Sequence, residues 1–282
     1  MSFRESEHMR EIAGHTALIT GGSAGVGLAV ARRLLQFGAN VAITARDPGR
    51  LAEAAAQLGS PERVLAIPWD VADTAGARAV LDAVLARFGA LHILVNNAGV
   101  NVRGNFRDLA LEDVAQVIDV NLRAPVLLSR LVLPLLQRAG EGAIVNVASL
   151  AGRVALPGEV SYCASKWGLR GFTLALAEEL AGSGITASVV SPGPIDTGFI
   201  MDGIDHVPDL VFSQPMSTAE EIADLVLACI LDGRPERAHP RVSGWLANAA
   251  SLMPWLRRLL LPALERRGRR AKAVYRARAG AR

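Results

Sequence analysis

Lysine is almost missing from this chain. Of 30 basic side chains only Lys166 and Lys272 are lysines, and the only two tyrosines are Tyr162 and Tyr275. Cysteine is equally scarce: Cys163 and Cys229 lie far apart and form no C-x-x-C pair. That excludes a disulfide framework and a thiolate metal site, and it leaves buried free thiols as the expectation. The five histidines are scattered, with no H-x-x-x-H pair, so no metal is expected. No uncharged apolar run approaches the roughly 18 residues of a spanning helix. The opening "MSFRESEHMREIAG" is charged and lacks the apolar stretch of a secretory signal. These absences fit a cytoplasmic, reducing setting.

Apolar residues make up 51% of the chain, enough for a large buried core. The net charge of +3 hides a division. Residues 1–256 carry 20 basic and 26 acidic side chains, whereas residues 257–282 carry 10 basic ones and the single acid Glu265. The body is mildly acidic and the tail strongly basic.

Wholly apolar segments alternate with segments of helical period. Strands are expected at 15–20, 40–45, 63–69, 91–96, 142–149 and 185–191, with helices at 24–38, 48–59, 74–89, 111–138, 159–181 and 218–231. A Gly/Pro-rich stretch, 192–217, precedes the last helix. Strands apolar on both faces belong to parallel sheets, and strict alternation with helices gives a doubly wound α/β sheet. The expectation is an N-terminal lead (1–12), one Rossmann-like domain (13–244) and an amphipathic, basic C-terminal extension (245–282).

"TGGSAGVG" (20–27) joins the first strand to the first helix with spacing G-x-x-x-G-x-G. Glycines here let the backbone approach a pyrophosphate at the helix N-terminus. After the second strand the sequence reads Thr44-Ala45-Arg46-Asp47. Arg46 can pair with a ribose 2′-phosphate and favours NADP(H). Asp47 could instead accept a 2′-hydroxyl and favour NAD(H), but beside Pro48 it looks more like a helix N-cap.

The lysine scarcity makes "SYCASKWG" (161–168) informative. Tyr162 and Lys166 stand at i and i+4, on one helix face. An ammonium beside a phenol lowers its pKa from about 10 and makes it usable for proton transfer. Ser149 ends the fifth strand, where open α/β sheets place ligands. Asn121 lies mid-helix, an unfavourable place for asparagine.

Together with "WDVAD" (69–73), "NNAG" (96–99), "NVAS" and "SPGPIDT" (191–197), these residues resemble the single-domain short-chain dehydrogenase/reductase family over about 13–232. The resemblance implies a carbonyl/alcohol oxidoreductase with Tyr162 as acid/base. It implies that Ser149 orients the carbonyl, Lys166 binds the nicotinamide ribose and lowers the Tyr162 pKa, and Asn121 holds a relay water. It places the dinucleotide along Gly21, Ser23, Gly25, Val26 and Gly27, with Arg46 selecting NADP. It adds Asp70 at the adenine, Asn97 and Gly99 along the adenosine half, and Ile195 and Thr197 at the carboxamide, with Val71, Ala98, Pro192 and Gly193 as further cofactor-binding residues. A catalytically idle dinucleotide-binding or scaffold protein on the same fold is the alternative.

The segments 150–158 and 193–204 offer Leu150, Val154, Leu156, Phe199, Ile200 and Met201 as walls for a medium-sized, mainly apolar substrate. Arg153 could instead meet an anionic one. A homodimer or homotetramer is expected, although the extension puts the usual tetramer in question. Leu252, Trp255, Leu256, Leu259 and Leu260 recur at helical spacing among arginines. Docking on the protein's own fold or dimer mate is the favoured reading, peripheral membrane contact the second, and nucleic acid is not expected. Pro254 and Pro262 predict short helical pieces there.

Overall fold

A computed structural model describes residues 11–279. The chain alternates β1 (Thr16–Thr20), α1 (Gly25–Gln36), β2 (Asn40–Ala45), α2 (Pro48–Leu58), β3 (Val64–Pro68), α3 (Ala77–Phe88) and β4 (Ile93–Asn96). It continues through α4 (Leu111–Ile118), α5 (Ala124–Ala139), β5 (Gly142–Val147), α6 (Val160–Glu179), β6 (Ile185–Pro192) and the single turn α7 (Gly198–Met201). Last come α8 (Ala219–Asp232), β7 (Glu236–His239), α9 (Arg241–Leu252) and α10 (Pro254–Ala279).

The seven strands form one parallel sheet in the order β3-β2-β1-β4-β5-β6-β7. Strand order reverses between β1 and β4, which opens a crevice at their carboxyl ends. Both faces are covered, as apolar strands require. Leu34, Val30, Leu51 and Val226 pack with Ile19 and Ile43 on one face. Val84, Leu128, Val132 and Leu136 pack with Leu18 and Ile144 on the other. Each such buried side chain contributes roughly 1.5–3 kcal/mol.

The helix signals act as read. Asp47 caps α2, its carboxylate accepting from the N–H groups of Gly49 (2.9 Å) and Arg50 (3.1 Å). Thr218 and Glu221 form a capping box on α8, which Gly233 closes in the left-handed conformation at φ +65°.

Three expectations are corrected. The seventh strand went unread because "ERAH" has no apolar run; as a sheet edge it pairs only with β6, and charge suits an edge. The expected helix 111–138 is two helices joined by a π-turn at Asp119–Arg123. The tail is not a set of short pieces. Pro254 opens α10 at a position where a missing N–H costs nothing, and Pro262 is carried inside its 26 residues.

Downstream of Pro262, α10 is held against the segment 204–213. Gly268 is the point of closest approach: a Cβ there would sit 1.8 Å from the Asp209 carbonyl oxygen. Lys272 Nζ donates to the carbonyls of Val207 (2.6 Å) and Asp205 (3.1 Å), and Arg269 pairs with Asp209 at 3.1 Å. Tyr275 packs on the buried Phe212 ring at 6.0 Å. This half of the tail docks on the protein's own fold, but the apolar stripe expected to dock does not: Leu252, Trp255, Leu259 and Leu260 are exposed, and the Leu256 side chain lies outside the described residues. No helix among the described residues is long and apolar enough to cross a membrane.

Candidate active site

The turn after β1 is built for backbone approach. Gly25 takes φ +52°, and a Cβ on Gly27 would lie 2.2 Å from the Gly21 carbonyl oxygen. Ala24 gives α1 no side-chain cap, so the first-turn N–H groups are left for something else. Asn97 fixes this turn from β4: its Nδ2 donates to the carbonyls of Thr20 (3.0 Å) and Gly21 (3.1 Å). An uncapped helix start, a glycine cradle and a locked turn fit a dinucleotide pyrophosphate.

Across the crevice lie the ends of β5 and β6 and the start of α6. A cleft of about 460 Å³ joins the glycine turn to this region. Tyr162 and Lys166 both line it and both are buried, at 8% and 4% exposure. Lys166 Nζ donates to the Val147 carbonyl at 2.9 Å and lies 5.7 Å from the Tyr162 ring centroid. The Ser149 hydroxyl accepts from the Ala151 N–H at 3.1 Å and reaches the Tyr162 phenol.

The electrostatics depart from expectation. Burial, then the Glu159 carboxylate, push the Tyr162 phenol above its ordinary range, against smaller opposing effects of Ser149 and Arg103. Burial pushes Lys166 down to about 8. Lys166, whose amine donates to Val147, is not among the groups that shift the phenol here.

Asn121 is fully buried on the π-turn. Its Oδ1 accepts from the Val100 N–H (2.8 Å), and its Nδ2 donates to the Val100 carbonyl (2.8 Å) and to Ser165 Oγ (3.2 Å). Both amide hydrogens are used, and the side chain holds the loop after β4. π-turns of this kind recur at functional sites.

Of the expected dinucleotide residues, Gly21, Gly25, Val26, Asn97, Ala98, Gly99, Pro192, Gly193, Ile195 and Thr197 line the cleft. Ser23, Gly27, Arg46, Asp70 and Val71 do not line it; Asp70 accepts from the Ala72 N–H at 3.0 Å. Leu150, Val154, Leu156, Phe199 and Ile200 form apolar walls, whereas Met201 turns instead to a cluster with Phe212 and Tyr275. Arg153 is buried against Glu236 (2.8 Å) and Asn248 (3.4 Å) and does not line the cleft.

Several lining residues were not anticipated. Arg50 reaches the cleft from the first turn of α2, three residues past the capping Asp47. Arg103 and Glu159 form a buried pair at 3.1 Å, with Asn101 Nδ2 donating to the same carboxylate oxygen. Arg103 stacks over Phe199 at 5.7 Å. Leu210, Val211 and Gln214 come from the segment under α10. Loop residues with no motif carry no signal of this in the sequence; the helical spacing of Arg50 from Asp47 was the one available clue.

Residues 15–206 match the family model described as short chain dehydrogenase. The chain belongs to the short-chain dehydrogenase family. It is similar to the ketoacyl reductase HetN of Nostoc sp., 35% identical over 224 residues, covering 79% of this chain and 77% of that one. It is 36% identical over 223 residues to the 2-(R)-hydroxypropyl-CoM dehydrogenase of Xanthobacter autotrophicus, covering 75% and 89%. With the D-threitol dehydrogenase of Mycolicibacterium smegmatis the identity is 39% over 180 residues, 64% and 69% of the two chains. This short-chain dehydrogenase is thus an oxidoreductase of the carbonyl/alcohol pair that uses a nicotinamide dinucleotide.

Proposed function

We propose that this short-chain dehydrogenase is an NADP(H)-dependent reductase of a medium-sized, mainly apolar ketone or aldehyde, with Tyr162 as proton donor. The observation that carries this reading is the buried phenol, held protonated at neutral pH beside Ser149 at the cleft. The dinucleotide, when bound, supplies the hydride. Ser149 accepts from the Ala151 N–H, so its own proton remains to hold a carbonyl oxygen. The Tyr162 O–H protonates that oxygen as charge develops on it. The phenolate left behind is unfavourable in this burial and readily regains a proton. Lys166 uses one donor on Val147 and keeps its others for ribose hydroxyls.

Mainly apolar walls with few polar anchors support a ketone of lipid-like or aryl character, and the ketoacyl reductase name of one relative fits such a chain. We also infer a homo-oligomer. Phe106, Leu111, Val160 and Trp167 leave apolar side chains exposed on and around α4 and α6.

The test is coenzyme oxidation by the purified protein against a panel of ketones, including 3-ketoacyl thioesters. Tyr162→Phe is expected to cut turnover by about 10²–10⁴-fold with coenzyme binding unchanged. Equal turnover in the variant refutes the role of Tyr162. Coenzyme binding with no turnover of any ketone would favour the idle scaffold.

For the coenzyme, the Asp47 carboxylate is engaged in capping, Arg46 directly follows β2, and Arg50 lines the cleft, which supports a role for these two arginines at a 2′-phosphate. Arg46→Ala with Arg50→Ala should weaken NADPH by about tenfold or more and leave NADH unchanged. An unaltered preference between the two coenzymes would sink this assignment.

A further inference from the structure

The two faces of α9 are reversed relative to an ordinary surface helix, whose large apolar residues turn inward. Its inward face is small. Gly244 packs so closely that a Cβ would meet the Ala238 Cβ at 2.5 Å, Ala247 is buried, and Asn248 meets Arg153. Its outward stripe, at i, i+3, i+4 and i+10, is Val242, Trp245, Leu246 and Leu252, exposed by 70%, 80%, 64% and 83%.

After Met253 the stripe passes into α10. Trp255 and Leu259 are 66% and 71% exposed, and Leu260 is 47% exposed. The same face of α10 then becomes basic. Trp255, Leu259, Arg266 and Arg270 follow each other at helical spacing, and both arginines are exposed. Arg269, Lys272 and Arg276 are paired with Asp205 and Asp209. Arg266, Arg267 and Arg270 make no ion pair among the described residues. On the α9 side, the exposed Arg234 and Arg241 line the same groove as Trp245.

We propose that the elbow formed by the outward face of α9 and the first turns of α10 docks on an anionic lipid surface. The geometry is that of an interfacial anchor: two tryptophans and five aliphatic side chains at the tip, with arginines behind them at headgroup depth. A second copy of this chain is the competing occupant. An isologous contact through this elbow would bring a second set of arginines and no carboxylate to pair them, since residues 241–264 contain no Asp or Glu. A monomer also rarely leaves so continuous an apolar patch to water. An anionic bilayer answers both features with one partner.

The experiment uses the full chain and vesicles of phosphatidylcholine alone or mixed with phosphatidylglycerol, read by co-sedimentation and tryptophan fluorescence. The expected result is binding to the mixed vesicles, a blue shift, and weakening at high salt. Trp245→Ser with Trp255→Ser should weaken binding by about tenfold or more. Arg266→Gln with Arg270→Gln should weaken it by about fivefold per charge. Coenzyme affinity, which involves none of these residues, checks that each variant is folded. No sedimentation with the mixed vesicles overturns the proposal. So does tryptophan-independent binding, or light scattering in which the tryptophan variant drops from a larger oligomer to a smaller one. None of these readouts depends on turnover, so they stand or fall apart from the reductase reading.

Discussion

Lys166 sits in the protein with its amine held by burial at a pKa of about 8, while burial drives the neighbouring phenol the other way. The pair therefore loses protons in the order amine first, phenol later. Reductive turnover at saturating coenzyme should be level at neutral pH and fall with an apparent pKa near 8 as Lys166 loses its charge. Lys166→Arg should move that fall upward, since a guanidinium stays charged. A pH–rate profile that is identical in the variant would show that another group sets it. The existence of the pair was legible in the sequence: one tyrosine and one lysine, four apart, in a chain that otherwise uses arginine. The direction of the phenol shift was not. It depends on burial and on Glu159, which stands three residues before Tyr162 and carries no motif. Asn121 was legible as an oddity of helix composition. Its work, clamping both backbone groups of Val100, needs a contact across 21 positions.

The elements were read well wherever an apolar run or a cap marked them. Six strands and most helices appear within a few residues of their expected ends. β7 escaped because an edge strand of charged residues has no periodic signal. The π-turn escaped because its helical period continues across it. The segment 204–213, called the lid for its position between α10 and the cleft, escaped because what holds it is distant in sequence. Leu210, Val211 and Gln214 reach the cleft from a segment pinned by Gly268, Lys272 and Tyr275 of α10. Gly268→Leu must force the helix off Asp209. Overpacking of this kind costs about 1–3 kcal/mol, so a thermal melt should fall by several degrees. The ketone KM should rise while the coenzyme KM stays level, because the glycine turn lies at the far end of the cleft. An equal rise in both would mean that α10 supports the whole fold and not the lid.

At the scale of the molecule, the division of charge read from the sequence proves to be a division of labour along α10. Its basic residues are not one solvated block. Arg269, Lys272 and Arg276 neutralise the acids of the lid, and Arg266, Arg267 and Arg270 remain outward. The family and the doubly wound sheet followed from motifs confined to strand ends and turns, where the backbone itself makes the site. What the chain adds to that frame, the lid and its brace, is made of side-chain contacts between distant segments. The brace also fixes an order of events during synthesis. α10 leaves the ribosome only after all seven strands, so the sheet and its glycine turn can form while 204–213 still has nothing behind it. A nascent chain at that stage is an enzyme half made, able to hold its coenzyme before it can tell one carbonyl from another.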